Sequence, residues 1–463
     1  MSGPSHNEYL TGKLPVVFVK TALPIVFLMV VDGLLTVVDA MFLGQFVGPK
    51  ALAAVTIMFP AFIVLIGLST LVASGMSSLL SRALGAQKLD VARSIFAEAH
   101  LMAVVIAALL NILYIAFGSQ FALMAAKGDA SLAQMADSYI RIAVYGAPLF
   151  FILSVQADAL RCEGKIALMA GVGGLITLAN IGLNYILIVH LNMGVAGSAL
   201  GSVLAQGTAL VFVLVHRSLR GTRLPLSSLV LQGRPIHVLR ILALGGPQSL
   251  SFMGLALSTT VIVAAVQFAA MPNYSETIAA YGILIRIIGF AFMPLLGLMQ
   301  AMQAIVGNNF GAGQQDRVQR AFRFAVITSL VYCLGFEVFA STFASSIAAW
   351  FVPDPAVQDE VARILPIVLL LYVVVGPVLM LGAFYQVTGN ALRAAILQLA
   401  KPYLLMGVLV FSLSVAFGEA GIWFASPVAD AVLLVMAITL YRKPTKAALS
   451  AEGLRGEGGP VDV

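Results

Sequence analysis

Apolar stretches of about twenty residues recur along the whole sequence, separated by short charged or Gly/Pro-rich breaks. An α-helix of about this length crosses roughly 30 Å of hydrocarbon. Only 10% of the 463 residues are charged and 60% are hydrophobic, whereas about a quarter of the residues in soluble domains are charged. A membrane β-barrel would instead show short segments of alternating hydrophobicity. The sequence therefore predicts an all-α polytopic membrane protein, because a helix satisfies its own backbone hydrogen bonds.

Dividing the sequence at these breaks predicts twelve transmembrane helices. The predicted spans are 15–46, 52–80, 94–117, 138–160, 166–190, 195–215, 241–270, 277–306, 322–348, 363–388, 394–417 and 420–441. The remaining tail, 444–463, is Gly-rich and charged, so we expect it to be disordered.

Positive charge collects in alternate loops, whereas the intervening loops are poor in it. The residues concerned are Lys13, Arg82, Lys88, Arg93, Arg161, Lys165, Arg217, Arg220, Arg223, Arg234, Arg240, Arg317, Arg320, Arg323, Arg393, Arg442, Lys443 and Lys446. By the positive-inside rule both termini are cytoplasmic, which requires an even number of spans. The net charge of +6 is spread over these short loops with no basic patch, so it indicates topology and not nucleic-acid binding.

The sequence also repeats itself. The segment 85–90, GAQKLD, returns as GAGQQD at 311–316, an offset of 226 residues, and Ala196-Gly197 recurs as Ala420-Gly421 at an offset of 224. The repeat predicts an amino-terminal six-helix bundle at 1–215, a cytoplasmic linker at 216–240 and a carboxy-terminal bundle at 241–443. Two bundles in the same orientation, related by an axis along the membrane normal, favour a transporter with a substrate cavity between them. Two-lobed scaffolds also occur in membrane enzymes and scramblases.

Two aspartates in the first span are candidate functional residues, because a carboxylate inside the membrane costs about 2.5–3.5 kcal/mol on insertion scales. Asp32 and Asp39 are seven residues apart and therefore share one helix face. Pro24 precedes them and removes one backbone hydrogen bond, so the helix has a place to bend. The alternative for Asp39 is an interfacial carboxylate among the outer headgroups.

Two asparagines of the fifth span, Asn180 and Asn184, are one turn apart and face the same way. An amide pair can coordinate a cation or hold a carboxylate in either protonation state. The alternative is that both amides only join helices by hydrogen bonds worth about 1 kcal/mol. Ser202, Tyr139 and Gln156 are weaker polar candidates in the same half.

The second half appears less acidic. Gln248 lies near the start of the seventh span, and Arg286 of the eighth span is the one charge of this half that looks buried. We expect Arg286 to face the cavity or to pair with an acid, the alternative being that it snorkels to the interface. These residues, with Asp32, Tyr139 and Gln156, are our candidates for the substrate cavity.

The sequence shows no catalytic or nucleotide-binding motif of the common kinds. The five histidines lie at or near loops without clustering, and Cys162 and Cys333 are far apart, so we expect no metal site, no cofactor and no enzymatic activity. Without an ATP site, transport would be driven by an ion gradient.

Three segments resemble the multidrug and toxic compound extrusion (MATE) family. They are LLTVVDAMFLGQFVGPKALAA (34–54), AAYGILIRIIGFAFMPLLGLMQAMQAIVGNNFGAGQQDRVQRAF (279–322) and GVAGSALGSVLAQ (194–206). The resemblance covers essentially the whole chain and is nearest to the bacterial branch that exports cationic drugs and dyes.

The resemblance implies a V-shaped pair of six-helix bundles that exchanges toxic compounds for protons or sodium ions. It places the family's first-helix aspartate at Asp39 and a cation site at Asn180, position 184 and Ser202. The sequence departs from those relatives at Asn184, where they carry aspartate. It also lacks the seventh- and tenth-helix acids of another branch.

The sequence thus predicts a secondary antiporter of the bacterial inner membrane that exports amphipathic, cationic drugs. Asp39, Asn180, Asn184 and Ser202 would bind the coupling ion. We expect a monomer in the lipid bilayer with no nucleic-acid partner. One alternative is a flippase of lipid-linked oligosaccharides from the same superfamily, for which Arg286 is the only suitable basic residue, and another is an intramembrane enzyme.

The predicted topology is testable with a reporter enzyme that is active only outside the cytoplasm. Fused after Tyr441, the reporter should be silent, because an even number of spans returns the chain to the cytoplasm. Inserted near Asp354 it should be active. Reporter activity after Tyr441 would contradict the twelve-span topology.

Overall fold

The computed structural model describes residues 7–126, 128–219, 222–229, 235–269 and 274–443, and their regular structure is entirely helical. The tail at 444–463, predicted to be disordered, lies outside these residues. The α-helices are α1 (Glu8–Thr11), α2 (Leu14–Phe42), α3 (Pro49–Ile57), α4 (Phe59–Gly85), α5 (Leu89–Ala125), α6 (Ala130–Tyr145), α7 (Ala147–Cys162), α8 (Ile166–Asn184), α9 (Gly194–Leu219), α10 (Val238–Phe268), α11 (Tyr274–Gly311), α12 (Gln315–Thr342), α13 (Ala344–Phe351), α14 (Pro355–Leu369), α15 (Tyr372–Val387), α16 (Ala391–Leu399), α17 (Met406–Phe417) and α18 (Glu419–Arg442).

Ten helical segments in the described part are long and apolar enough to cross a membrane, and two bent helix pairs raise the number to twelve. The pair α6 and α7 bends by 48°, and the pair α14 and α15 bends by 47°. These pairs correspond to the predicted fourth and tenth spans, so the bend recurs at the same place in both sequence halves. The predicted all-α fold with up to twelve spans is confirmed.

Among the described residues, three of the predicted spans change from α- to π-helix. The π-helical segments are Leu43–Val47 after α2, Tyr185–His190 after α8, and Ala400–Leu405 between α16 and α17. A π-helical turn shifts the hydrogen-bonding register by one residue and is frequently found at functional sites.

The described residues form two compact units. The first comprises Met1–Ala256, Ile287–Ala325 and Gln386–Ala391, and the second comprises Leu257–Arg286, Val326–Tyr385 and Leu392–Val463. The boundaries of these units differ from those of the two sequence halves, because parts of the seventh and eighth spans pack with the helices of the first sequence half.

Glycines bring the helices of the first unit into close backbone contact. A Cβ atom on Gly245 of α10 would overlap the carbonyl oxygen of Leu71 in α4, and one on Gly85 of α4 would overlap the carbonyl oxygen of Asn308 in α11. Small residues at helix interfaces permit such approach, which membrane helices use because packing holds them together. The second span is therefore joined tightly to the seventh and eighth.

The short helix α1 adds hydrogen bonds between helices of the two sequence halves, all within the first unit. The Tyr9 hydroxyl donates to the carbonyl oxygen of Arg161 at 2.9 Å, and burial raises the pKa of Tyr9, which keeps this donor protonated. The Tyr9 carbonyl accepts from Asn309 Nδ2 at 3.0 Å and from Arg317 Nη2 at 2.9 Å. The Asn7 amide donates to Asn308 Oδ1 at 2.9 Å.

The contact between α4 and α10 is testable with two adjacent glycines. Gly245→Ala should lower the free energy of unfolding by about 1–3 kcal/mol, because the new methyl group overpacks a backbone contact. Gly246→Ala is the matched control, since a Cβ there meets no atom within 4 Å. Thermal unfolding of the purified variants is the measurement. Equal melting temperatures for the two variants would contradict the close approach.

Candidate functional site

Asp39 lies in the last turn of α2, four residues before the π-helical segment Leu43–Val47. Its side chain is partly exposed, and its Oδ1 accepts a hydrogen bond from Asn184 Nδ2 at 2.7 Å. The first and fifth spans therefore meet at this carboxylate. In both spans the polar residue is close to the point at which the α-helix becomes a π-helix.

A chain of amide hydrogen bonds continues from Asp39 into the fifth and sixth spans. Asn184, the last residue of α8, also donates from Nδ2 to Asn180 Oδ1 at 3.1 Å. Asn180 Nδ2 in turn donates to the Ser202 hydroxyl of α9 at 2.9 Å. The side chains of Asn180 and Asn184 are both buried. The structure thus brings together the four residues predicted to bind the coupling ion, and their role stays a prediction.

Gly201 of α9 makes room for the Asn184 side chain, because a Cβ at this position would overlap Asn184 Oδ1. That oxygen is buried and has no hydrogen-bond partner in the part of the chain that the structure describes. A buried acceptor without a donor is costly. Asn184 Oδ1 is therefore available to a proton donor or a cation that enters beside Asp39.

Tyr139 of α6 lies close enough to interact electrostatically with Asp39 and is partly exposed. It thus belongs to the same region as the amide chain, as expected for a polar group of the first half. Asp32 is in helix α2, but its side chain lies outside the described part of the structure.

Gln156 of α7 is fully buried in a different polar network. Its Oε1 accepts from Arg217 Nε at 2.6 Å, and its Nε2 lies 3.1 Å from His100 Nε2. Arg217 also pairs with Glu163 at 2.8 Å. Gln156 was expected to line the substrate cavity, but in this structure its polar atoms are buried and bind other buried side chains.

Gln248 of α10 is partly exposed and belongs to a cluster of glutamines in the first unit. Its Oε1 lies 3.4 Å from Gln386 Nε2, and Gln386 Oε1 accepts from Gln303 Nε2 at 3.1 Å.

Arg286 of α11 is exposed and has no carboxylate oxygen within 4.0 Å among the described residues. The expectation of an acid partner for Arg286 is therefore not met in these residues.

Sequence reasoning missed one buried ion pair in the second unit. Lys401 Nζ lies 2.7 Å from both Oδ1 and Oδ2 of Asp430, and Asp430 is 4% exposed. The statement that Arg286 is the only buried-looking charge of the second half is thus wrong. Both residues lie well inside predicted spans, at 394–417 and 420–441, so charge inside an apolar run was the signal that could have found them.

The Asp39 cluster contains groups that can bind and release a proton or a cation. A carboxylate changes charge on protonation, and the neighbouring amide offers both a donor and an acceptor to it. Carboxylate, amide and hydroxyl oxygens are also ligands suited to hard cations.

The MatE family model matches residues 24–186 and 251–411 of the chain. The chain belongs to the MatE family. The two matched segments begin 227 residues apart, close to the 226-residue offset of the sequence repeat. The family model thus covers both halves of this family member, and the predicted family is confirmed.

Similar proteins include the multidrug export protein MepA of Staphylococcus aureus, which is 24% identical over 421 residues and aligns over 89% of each chain. A crystal structure of a MATE protein in the bent conformation is similar with a TM-score of 0.89 and 21% identity, over 98% of this chain and 100% of that chain. A multidrug resistance MATE transporter in an outward-facing conformation has a TM-score of 0.85 and 22% identity, over 96% and 100%. At this identity the solved structures support the fold.

A double-mutant cycle tests the packing of Asn184 against Gly201. Gly201→Ala should cost about 1–3 kcal/mol of unfolding free energy, because the methyl group collides with Asn184 Oδ1. In an Asn184→Ala background the same change should cost little, since the colliding atoms are gone. Gly207→Ala on the same helix is the control, because its Cβ meets only Leu149 at an ordinary 3.6 Å. An equal cost of Gly201→Ala in both backgrounds would refute this packing.

Proposed function

We propose that this protein exports amphipathic, cationic drugs from a bacterial cell in exchange for protons or sodium ions. The observation that carries the proposal is the hydrogen-bonded cluster of Asp39, Asn184, Asn180 and Ser202, which joins helices α2, α8 and α9. The name of the similar MepA protein, a multidrug export protein, supports drugs as the substrate class. The protein would be a monomer in the inner membrane with both termini in the cytoplasm.

Asp39 is the ion carrier in this proposal. Its anionic form accepts the hydrogen bond from Asn184 Nδ2. Once protonated, the carboxyl group becomes a donor, and the unpartnered Oδ1 of the same Asn184 amide is an acceptor for it. The amide therefore serves both protonation states if it turns over about its Cβ–Cγ bond, which exchanges the positions of Nδ2 and Oδ1.

The amide chain extends the effect of protonation to other helices. Asn184 binds Asn180, and Asn180 binds Ser202, so a rotation of the Asn184 amide changes hydrogen bonds on α8 and α9 as well as α2. The π-helical segments that follow Asp39 and Asn184 are places where the backbone register can shift. Loss of the negative charge on Asp39 also weakens the attraction for a cationic drug.

Sodium is the alternative coupling ion. Asp39 Oδ1, Asn184 Oδ1 and the Ser202 hydroxyl are oxygen donors, which is the donor type that hard cations bind. The electrical part of the driving force is the same for either ion, about 2.3 kcal/mol per charge for each 100 mV of membrane potential.

The test is ethidium transport by inside-out vesicles, with proton and sodium gradients imposed separately. Asp39→Asn keeps the side-chain shape but removes the titrating charge, so driven transport should fall to the rate of vesicles without the protein. Asn180→Ala should weaken the dependence on the ion gradient.

Asn111→Ala is the matched control at equal expression. Asn111 also joins two helices of the first unit, since its Nδ2 donates to the carbonyl oxygens of Ala107 and Val144. The Asn111→Ala protein should therefore lose a little stability and keep the ion dependence of its transport. Parental transport and parental ion dependence in Asp39→Asn would refute the proposed coupling.

A further inference from the structure

The pair of Lys401 and Asp430 lies deep inside the two last spans of the chain. Asp430 is eleven residues after the start of α18 at Glu419 and twelve before its end at Arg442. Lys401 Nζ binds both carboxylate oxygens at 2.7 Å and lies 3.3 Å from the Ser426 hydroxyl. Ionisable residues at this depth are expensive and most often mark a functional path.

The backbone is irregular at Lys401 and next to Tyr372, and the helix that carries Asp430 contains a proline. Lys401 is part of the π-helical segment Ala400–Leu405, which also contains Pro402. Pro427 lies inside α18 next to Ser426. Tyr372 is the first residue of α15, directly after the 47° bend. Irregular backbone at membrane depth is tolerated where it is buried in protein or lines a polar cavity.

The sequence repeat relates this site to the Asp39 cluster. Ser426 lies 224 residues after Ser202, the offset at which Ala196-Gly197 recurs as Ala420-Gly421. Ser202 accepts a hydrogen bond from Asn180 of the fifth span, and Ser426 lies within hydrogen-bond distance of Lys401 of the eleventh span. At this offset the serine recurs, whereas Lys401 corresponds to Thr177 and Asp430 to Gln206, so the charged pair belongs to the second half alone.

Two features of the site indicate what it binds. The Lys401 side chain is 28% exposed whereas that of Asp430 is 5% exposed, so an approaching ligand meets the ammonium group first. Tyr372 is only 6% exposed, and its hydroxyl has no hydrogen-bond partner among the described residues. It also lies near enough to Asp430 to interact with it electrostatically. An ammonium group and a hydroxyl group with an unused proton can both donate hydrogen bonds to a carboxylate.

We propose that Lys401, Ser426 and Tyr372 bind the carboxylate group of an amphipathic substrate, which takes the place of Asp430 on Lys401. Asp430 takes up one proton as the carboxylate binds, so that the site stays neutral. An unpaired anion left in the membrane would be strongly unfavourable. This site rests on the proposed function for its substrate class and extends it to substrates that carry an acid as well as an amine.

Proton uptake makes the binding pH-dependent. Each unit of falling pH should strengthen carboxylate binding by up to about tenfold, over the range in which Asp430 is charged in the free protein. Lys401 and Tyr372 interact with the charge of Asp430, and the Glu337 carboxylate of α12 accepts from the backbone N–H of Val373, next to Tyr372, at 2.8 Å. Helix α17 carries no titratable side chain, and the π-helical segment before it contains Tyr403. Arg363 of α14 pairs with Glu360 and with Glu419 at the start of α18.

The test compares norfloxacin, which has a carboxylate, with its ethyl ester, which lacks one, in equilibrium binding to the purified full-length protein. The parent should prefer norfloxacin by about tenfold or more, as expected for a hydrogen bond to a charged group. A pH indicator in weakly buffered solution measures the protons exchanged on binding. We expect uptake of close to one proton per norfloxacin bound and less for the ester.

The variant to compare is the double substitution Lys401→Met with Asp430→Asn, because it removes both charges together and leaves no unpaired one. It should keep ester binding and lose the preference for norfloxacin, its proton uptake and the pH dependence. The control is Asp90→Asn with Arg93→Met, which removes an exposed pair outside this site.

The proposal is overturned if the parent binds norfloxacin and its ester equally, or if the double variant keeps the preference and the proton uptake. These measurements use no ion gradient, so they remain decisive if ethidium export fails. Conversely, loss of the carboxylate site leaves the test of Asp39 unaffected.

Discussion

Hydrocarbon offers no partner to a backbone N–H or C=O group, so every spanning segment of this protein has to complete its own hydrogen bonds as a helix. That constraint explains why the described residues are helical and why each departure from an α-helix is conspicuous. The departures include three π-helical segments and two bends of more than 40°, which fall in the first, fourth, fifth, tenth and eleventh spans. A freed or shifted backbone group is tolerated there only because neighbouring helices cover it.

Polar side chains cluster at these same irregular places. Asp39 and Asn184 lie beside two of the π-helical segments, Lys401 lies within the third, and Tyr372 follows one of the bends. The same cost that forces a backbone to be helical applies to a side chain, so each polar group needs a partner or a ligand. The two oxygen atoms left without a hydrogen-bond partner at these sites, on Asn184 and Tyr372, are therefore the strongest chemical indications of what enters the protein.

The first unit is held together differently from a soluble core. Backbones of α4, α10 and α11 touch at glycines, and α1 adds hydrogen bonds from its main chain and from Tyr9. Packing and hydrogen bonding replace the hydrophobic effect, because lipid tails are as apolar as the side chains they would displace. Contacts of this kind are short in range, and they can be made or broken as sets when helices move as rigid bodies.

The sequence by itself determined the helical membrane fold, the number of spans, the family and the residues of the Asp39 cluster. The fold, the spans and the candidates Asp39, Asn180 and Asn184 follow from local signals: the length of apolar runs, the cost of a carboxylate inside one, and helical spacing that places Asn180 and Asn184 on one face. The family, and with it the grouping of Ser202 with these residues, follows from the resemblance of three sequence segments. Only the tertiary structure decided which polar groups are already hydrogen-bonded to other side chains. Gln156 is occupied by Arg217 and His100, whereas Asn184 keeps a spare acceptor. Likewise, Lys401 and Asp430 are 29 residues apart on different helices, and their pairing depends on how those helices pack. Whether a buried charge is compensated is a property of its neighbours in space, which spacing along the chain does not specify.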